Sequence, residues 1–457
     1  MPVVSADHNL NTVFQFQKDP LMKTICVAVL LVLLPTSSIL AQSQTDIILK
    51  TFGLDSARSF IEADSTLALE QKASSLIRLY EINPNPQETT EINLSDLGIT
   101  ELPDFILKYQ HLTHLNLSNN RLTALPRQLK KLPRLKTLNL SANALQDVDF
   151  KLPRLKRVTT LDLSKNQLTV LPQWVKRLKR VQHLHLSYND LASLPKGLRK
   201  LRKLESLDVK GNNFVKFGEN LRYAKRLKSF NSLIAYNANI EQIPDNISLL
   251  KRLKVLDLSH NRIDHISGKI GQLTQLEQLY LHNSQLAQLP AEISQCQALF
   301  MLTLQQNELK SLPEEFTQLR NLNVLYLNNN QLESLPEGIG NMDLSEVYIY
   351  HNKLFELPTS FGNLTDLVHI RFDNTYISEF PPQLLKLTKL ESINFTDSYI
   401  SILPGEILKL NTLNLLAFRE ASIDMDHPRN EHYHEIVKTL YDRGVAVYLI
   451  DYENQEP

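Results

Sequence analysis

Residues 112–126 read LTHLNLSNNRLTALP, and this phrase returns along the chain with a period of about 23 residues, which is typical of a solenoid. Its pattern is L-x-x-L-x-L-x-x-N-x-L-x-x-L-P, and close copies are VTTLDLSKNQLTVLP at 158–172 and NLNVLYLNNNQLESLP at 321–336. About fourteen or fifteen copies follow one another. One copy has too few apolar side chains to offset the entropy of ordering it, so the copies must stack.

Each position of the repeat predicts a distinct structural role. The two leucines of L-x-L lie on one face of a short strand, so the residue between them points to the opposite, open face. An asparagine follows the strand in most repeats, where its amide can satisfy backbone groups of a turn; it occupies positions 120, 143, 166, 189, 212, 261, 307, 330 and 352.

The proline that closes the phrase predicts the start of the return segment, because it fixes φ. After it, leucines are spaced by three, as in Leu129, Leu132 and Leu135, which indicates short helix or 3₁₀ turns on the convex side. The prolines concerned are Pro103, Pro126, Pro172, Pro195, Pro244, Pro290, Pro313, Pro336, Pro358, Pro381 and Pro404.

Several repeats depart from the phrase. Asp149 and Ser267 replace the proline, Ala238 replaces the asparagine, and the interval from Gly218 to Pro244 is longer than the usual period. We therefore expect an irregular segment near residues 213–240. Near the end the asparagine position becomes Thr375, Ser398 and Ala421 as the array approaches its cap.

Both ends of the array predict caps that cover the outermost strand edges. An apolar stripe at Leu69, Ala73, Leu76 and Tyr80 predicts a helix before the first repeat. Near the other end, an amphipathic pattern from Tyr433 predicts a helix that stops at Gly444, and VAVYLI from 445 predicts a last strand. The predicted organisation is an upstream and signal segment at 1–41, a helical cap at 42–90, a solenoid at 91–426 and a cap at 427–457.

The amino-terminal segment has the composition of an export signal. Met22 and Lys23 precede an apolar run from Ile25 to Leu34, and Ala41 offers a cleavage point before Gln42. Met22 is then the expected start, and the run is too short for a transmembrane span. Export to the periplasm, the cell surface or the medium is the preferred interpretation, and a cytoplasmic chain with a buried apolar stretch is the alternative.

Charge is balanced overall but concentrated locally. The chain has 49 Lys plus Arg and 49 Asp plus Glu, yet residues 127–228 contain 25 of the former and seven of the latter. A solvated convex face, on which long cationic side chains cover apolar surface, is the simpler interpretation. An anionic polymer or membrane surface is the alternative partner of this tract. We expect no nucleic acid partner, because aromatic residues are nearly absent there and export separates the chain from nucleic acids.

Sequence motifs of catalysis are absent. There is no G-x-x-x-x-G-K-[ST], G-x-S-x-G or H-E-x-x-H, so we predict a protein that is not an enzyme and has no cofactor and no metal site. The alternative is a metal-binding cluster of His427, His432, His434 and Glu435 near the last helix, which lacks helical i, i+4 pairing. Cys26 lies in the signal segment, and Cys296 occupies a core leucine position, which predicts a buried thiol.

Outward-pointing residues change character along the array. The first repeats show small polar groups, whereas later ones show tyrosine, histidine and arginine, which are typical of protein interfaces. Stacking along the sheet for stability is the alternative. The predicted partner-binding residues on the concave face are His183, His185, Tyr236, His260, Tyr280, His282, Tyr326, Tyr348, Tyr350, His351 and Arg371.

The quoted phrase resembles the leucine-rich repeat proteins, in particular the 23-residue L-P-x-x-L subclass over about residues 90–430. It is similar to plant intracellular Ras-group-related repeats, to the Ras-scaffold type of animals and to bacterial repeat proteins. The resemblance implies an α/β fold, a curved right-handed solenoid with a parallel β-sheet on its concave face, that binds proteins. An exported scaffold for a protein partner is the predicted function, and a cytosolic Ras-type or innate-immunity-like signalling scaffold is the alternative.

Overall fold

The computed structural model describes residues 58–59, 69–146, 155–418 and 431–449. The predictions for the signal segment, for Asp149, Ala421 and His427, and for much of the amino-terminal cap lie outside the described residues. The chain divides between Asp162 and Leu163 into two compact units, each of which is a stack of repeats.

The first unit has a helix where the apolar stripe predicts one. Helix α1 spans Leu69–Ile82, and its buried side chains include Ala73, Leu76 and Tyr80. The Tyr80 ring lies parallel to that of Phe105, with centroids 6.2 Å apart, and Tyr109 donates a hydrogen bond to the Tyr80 carbonyl at 2.5 Å. The helix thus packs on the first repeat. Four parallel strands follow in sequence order: β1 (Glu91–Asn93), β2 (His114–Asn116), β3 (Thr137–Asn139) and β4 (Thr160–Asp162).

The second unit contains a parallel sheet of twelve strands within its described residues. In spatial order these are β5 (His183–His185), β6 (Ser206–Asp208), β7 (Ser232–Ile234), β9 (Val255–Asp257), β11 (Gln278–Tyr280), β12 (Met301–Thr303), β13 (Val324–Tyr326), β14 (Glu346–Tyr348), β15 (His369–Arg371), β16 (Ser392–Asn394), β17 (Leu415–Phe418) and β18 (Ala446–Leu449). A separate parallel pair, β8 (Gln242–Ile243) and β10 (His265–Ile266), lies among the return segments. Helix α2 (Tyr433–Asp442) precedes β18, and Gly444 follows it with φ of 82°, as the sequence predicts.

Most return segments begin at the proline. Ten of the eleven prolines are the residue immediately before a 3₁₀ helix, with extended backbone, which confirms their predicted role. Pro172 differs, because a two-residue turn separates it from the helix Val175–Arg177. The other 3₁₀ helices are Asp104–Lys108, Arg127–Lys131, Lys196–Lys200, Phe217–Arg226, Asp245–Leu249, Gly268–Gln272, Ala291–Gln295, Glu314–Gln318, Glu337–Asn341, Thr359–Asn363, Pro382–Lys386 and Gly405–Lys409.

The asparagine ladder is buried and joins neighbouring repeats. The Asn330 amide nitrogen donates to the carbonyl of Leu327 in its own repeat and to that of Leu304 in the preceding one, both at 2.9 Å. Its oxygen accepts from the amide of Leu309, also in the preceding repeat, at 3.1 Å. The same pattern recurs at Asn143, Asn189, Asn212, Asn261, Asn307 and Asn352. The ladder therefore satisfies turn groups, as predicted, and also connects each repeat with the one before it.

Departures from the phrase have local solutions. The Ser267 hydroxyl replaces proline as a helix cap by accepting from the amide of Lys269 at 3.1 Å. The longer interval before Pro244 is absorbed by the ten-residue 3₁₀ segment Phe217–Arg226, which confirms an irregular return there. Thr375 and Ser398 hydroxyls donate to carbonyls of their own repeats at 2.7 Å, so they satisfy the turn without the link to the preceding repeat.

Cys296 is fully buried, as predicted from its leucine position. Its Sγ lies 3.4 Å from the carbonyl oxygen of Ile270, and burial raises the thiol pKa to about 12. This thiol is therefore a packing group.

Replacing one rung of the ladder should destabilise the second unit. The substitution Asn330→Ala removes three hydrogen bonds and leaves buried backbone groups unpaired, so we expect a loss of about 2–4 kcal/mol in the free energy of unfolding. The control Asn341→Ala removes an exposed amide at the end of a 3₁₀ helix and should change stability by less than about 0.5 kcal/mol. Urea unfolding followed by circular dichroism measures both, and equal midpoints for the two variants would contradict a linking role.

Candidate functional site

The open face of the sheet carries a row of large side chains in the second unit. In strands β11 to β15 the residues between the repeat leucines are paired side by side, in the order Tyr280, Thr303, Tyr326, Tyr348 and Arg371. Adjacent strands lie about 4.8 Å apart, so this row spans roughly 20 Å. Four of the predicted site residues thus form one line across five neighbouring strands.

At the centre of this row two tyrosine rings are stacked. The centroids of Tyr326 and Tyr348 are 4.5 Å apart with an angle of 5° between the planes. The Tyr348 hydroxyl donates to Glu346 at 3.2 Å. Burial, the Glu346 carboxylate and the neighbouring Tyr326 together raise the pKa of Tyr348 to about 12, so it stays protonated at neutral pH.

Arg371 is fixed at the end of the row by two interactions. Its Nε and Nη2 donate to the two oxygens of Asp373 at 2.9 and 2.8 Å, and its guanidinium carbon lies 4.2 Å from the centroid of the Tyr350 ring. The hydrogen bonds to Asp373 are the main reason that the Arg371 pKa is raised above its ordinary value. Tyr350 also contacts His351, with ring centroids 5.3 Å apart. We call Tyr326, Tyr348, Tyr350, His351 and Arg371 the tyrosine cluster.

A second group, the histidine cluster, comprises Tyr236, His260 and His282. The Tyr236 and His260 rings are 6.2 Å apart between centroids, and those of His260 and His282 are 5.0 Å apart in an edge-to-face arrangement. Burial, followed by the proximity of His260, lowers the pKa of His282 below its ordinary value. His282 is therefore largely neutral at pH 7.

His185 joins this cluster through charged residues that sequence reasoning missed. Its Nδ1 lies 3.8 Å from Asp208, whose carboxylate is 3.6 Å from the Lys210 ammonium, and that ammonium lies 5.5 Å from the centroid of the Tyr236 ring. Burial acts to raise the pKa of Asp208, but hydrogen bonds from His185 and other neighbours outweigh it and lower the pKa. Asp208 and Lys210 occupy outward positions of β6 and its turn, so the periodic pattern could have indicated them.

Some of the predicted residues lack an aromatic partner or lie in turns instead of strands. His183 is exposed on β5, and its side chain has no hydrogen bond or ring contact with the described residues. Tyr280 contacts Gln278 and the sulfur of Met301 rather than another aromatic ring. His260 and His351 lie in the turns after β9 and β14 with φ of 52° and 53°, so they flank the sheet instead of lying on its strands.

A further, exposed aromatic group lies beyond the turns that follow strands β14, β15 and β16. Phe355, Tyr376 and Tyr399 have exposed fractions of 60%, 41% and 61%. Ring centroids are 5.3 Å apart for Phe355 and Tyr376 and 6.0 Å apart for Tyr376 and Tyr399. Phe355 was missed, although an aromatic residue at a variable position of L-x-x-L-P is itself a signal. We call these three residues the aromatic shelf.

No metal-binding constellation accompanies these aromatic groups in the part of the chain that the structure describes. No group of three or more His, Cys, Asp or Glu side chains is placed to hold a metal ion there. At the last helix, His432 pairs with Glu435 at 3.5 Å and His434 contacts the Tyr433 ring. None of the described helices is long and apolar enough to cross a bilayer. What the site offers is aromatic area, hydroxyl donors and fixed charges.

Comparisons with known proteins agree with this geometry. The family model for the leucine-rich repeat matches residues 87–145 and 155–214, and the model for the leucine-rich repeat region matches residues 229–352. No curated protein sequence matches the chain.

Solved structures with a similar fold come from several organisms. A leucine-rich repeat protein of Leptospira interrogans is 28% identical, with a TM-score of 0.66 over 74% of this chain and 86% of its own. The functional domain of an internalin, InlJ of Listeria monocytogenes, is 19% identical, with a TM-score of 0.53 over 73% of each chain. A chain in the Toll–Spätzle complex of Drosophila is 18% identical, with a TM-score of 0.58 over 70% of this chain and 49% of that one. The last two similarities concern the fold alone.

The repeat geometry, the matched segments and the Leptospira structure lead to one conclusion about the fold family. The chain is a leucine-rich repeat protein with an α/β solenoid fold.

Proposed function

We propose that this protein is an exported, non-enzymatic scaffold that binds a protein partner on the open, concave face of its sheet. The observation that carries this proposal is that the repeats of β14 and β15 carry residues of both the tyrosine cluster and the exposed aromatic shelf. Rigid aromatic rings and arginine contribute most to binding energy at protein interfaces, because they bury large areas with little loss of side-chain entropy.

Stacking alone accounts for only part of the aromatic surface. The Tyr326 and Tyr348 pair stabilises the sheet by about 0.5–1.5 kcal/mol beyond burial. The rings of the aromatic shelf contact one another as well, but they remain 41–61% exposed, so much of their area is not used in packing. Exposed apolar groups that lie side by side are typical of interaction sites. The shelf therefore favours recognition over stability as the reason for the aromatic residues.

The surface has the dimensions of a partner site. A standard protein interface buries about 800 Å² on each side, which is roughly 30 Å across, and the row from Tyr280 to Arg371 supplies roughly 20 Å of that width. Asp373 and Tyr350 hold the Arg371 side chain in one geometry, so this side chain loses little conformational entropy when a partner binds. An acidic or hydroxyl-rich protein segment that crosses the strands fits this arrangement.

Two other functions predict different observations. A cytosolic signalling scaffold similar to the Ras-type repeats would keep its amino-terminal segment and remain inside the cell. An enzyme that uses the histidines near the last helix would contain bound metal in stoichiometric amount. The pattern of residues 22–41, which is typical of an export signal, favours the exported scaffold over the first, and the 3.5 Å pair of His432 with Glu435 gives no support to the second.

Removing the shelf should weaken binding without unfolding the protein. We expect Tyr376→Ala with Tyr399→Ala to lower the affinity for the partner at least tenfold, or about 1.4 kcal/mol, because these exposed rings are proposed contacts. A photoreactive amino acid placed at Tyr350 or Tyr376 should first identify the partner, and titration calorimetry with that purified partner then measures the affinity.

Phe300→Ala is the matched control for this experiment. Phe300 is 36% exposed but precedes β12, at the opposite end of the strand from the shelf, so this variant should bind like the wild type. Equal cross-linking from position 300, or unchanged affinity in the shelf variant, would refute the proposed surface. A shift in the unfolding midpoint of the shelf variant would instead support a purely stabilising role.

Export predicts a shortened mature protein. Cleavage after Ala41 would give a mature chain that begins at Gln42 and is found outside the cytoplasm. Amino-terminal sequencing of the protein from fractionated cells of its source measures both properties. An intact segment from Met22 on protein in the cytoplasmic fraction would exclude the exported scaffold and favour the signalling alternative.

A further inference from the structure

A cationic groove lies on the return segments of the second unit, away from the aromatic shelf. It has a volume of about 800 Å³, and all seven residues that line it are basic: Lys179, Arg199, Lys200, Arg202, Lys203, Arg226 and Lys228. Two of its members come from one 3₁₀ helix, Lys196–Lys200, and Arg226 ends the long segment Phe217–Arg226. The groove therefore belongs to three successive return segments.

The repeat period aligns these cations in rows. Several of these cations are one repeat apart in sequence. The pairs are Lys179 with Arg202, Arg202 with Lys228, and Lys200 with Arg226, and the last two pairs are separated by the longer interval that contains the segment Phe217–Arg226. Equivalent positions of a solenoid lie next to one another in the stack. The groove thus presents positive charge at regular intervals along the direction of stacking.

These charges are not neutralised within the described part of the chain. None of the seven residues forms an ion pair there. Of the carboxylates nearest in sequence, Glu205 accepts a hydrogen bond from the Gln182 amide and Glu219 pairs with Lys216. Seven neighbouring cations repel one another and attract anions into a groove. A face whose only role is solubility would not need its cations gathered in one concavity without ion-pair partners.

We propose that this groove binds a linear, sulfated polysaccharide, and that it forms a second binding site distinct from the proposed protein-binding surface. Such a chain carries sulfate and carboxylate groups at regular intervals, which matches rows of cations that repeat along the stack. Arginine offers bidentate hydrogen bonds to these oxyanions, while lysine contributes point charges. A flexible chain can follow the groove over three repeats.

Two other anionic partners fit the groove less well. A membrane surface is flat, and the groove is concave with no apolar side chain among its lining residues to enter a bilayer. Single-stranded nucleic acid needs aromatic rings on which bases can stack. The nearby ring of Tyr223 already lies 5.1 Å from the guanidinium carbon of Arg222 and 5.9 Å from that of Arg199, so it is occupied by cations.

Heparin serves as the probe, titrated into the full chain by calorimetry at about 50 and 150 mM salt. The groove variant carries Arg202→Gln, Lys203→Gln, Arg226→Gln and Lys228→Gln, and these four side chains are exposed, so the fold should be retained. The control variant removes the same charge from exposed cations elsewhere in the second unit, with Lys310→Gln, Arg320→Gln, Lys353→Gln and Lys409→Gln. Circular dichroism checks that both variants are folded.

We expect the groove variant to lose at least about thirtyfold in heparin affinity at about 50 mM salt, and the control less than about threefold, because contact charges release counterions and distant ones do not. Wild-type affinity should fall steeply at the higher salt, and heparin stripped of its sulfates should bind weakly. Equal losses in the two variants, or no wild-type binding at the higher salt, would overturn the proposal. It would also be overturned if anionic phospholipid vesicles or single-stranded RNA bound the groove as tightly as heparin.

Discussion

A buried asparagine that bonds to two repeats at once is the interaction on which the stack depends. Its amide nitrogen and oxygen reach backbone groups of the preceding repeat as well as its own, as at Asn330. The leucines supply most of the burial, but apolar contact is not directional and does not define a register. Hydrogen bonds of fixed geometry define it, since each repeat must lie where the amide of the next one can reach.

Because the register is kept, position in the repeat determines position in space. The residue between the repeat leucines always lies on the open face, so Tyr326 and Tyr348 become neighbours although they are separated by a full repeat in sequence. The same rule brings the cations of three return segments into one groove. Surface composition can therefore change without cost to the core, and the outward positions shift from asparagine in β1 to β3 to tyrosine in β13 and β14.

Periodicity predicted the parts of the structure that repeat. The strands, the asparagine ladder and the prolines before 3₁₀ helices follow from the phrase, and so does the row from Tyr280 to Arg371. The longer interval before Pro244 indicated an insertion, but not that a ten-residue 3₁₀ segment would absorb it, because several backbone paths fit that length. Contacts such as Lys210 over Tyr236 depend on rotamers, which a pattern of residue types does not specify.

The core position of Cys296 has a consequence for the chemistry of the chain outside a reducing environment. Oxidants and disulfides react with the thiolate, and a thiol with a pKa of about 12 that is closed to solvent forms almost none. Cys296 is the single cysteine in the described part of the chain, so this part has no thiol that readily forms mixed disulfides or sulfenic acid. Its stability rests on stacked backbone bonds and leucines, and it does not depend on the redox potential of its surroundings.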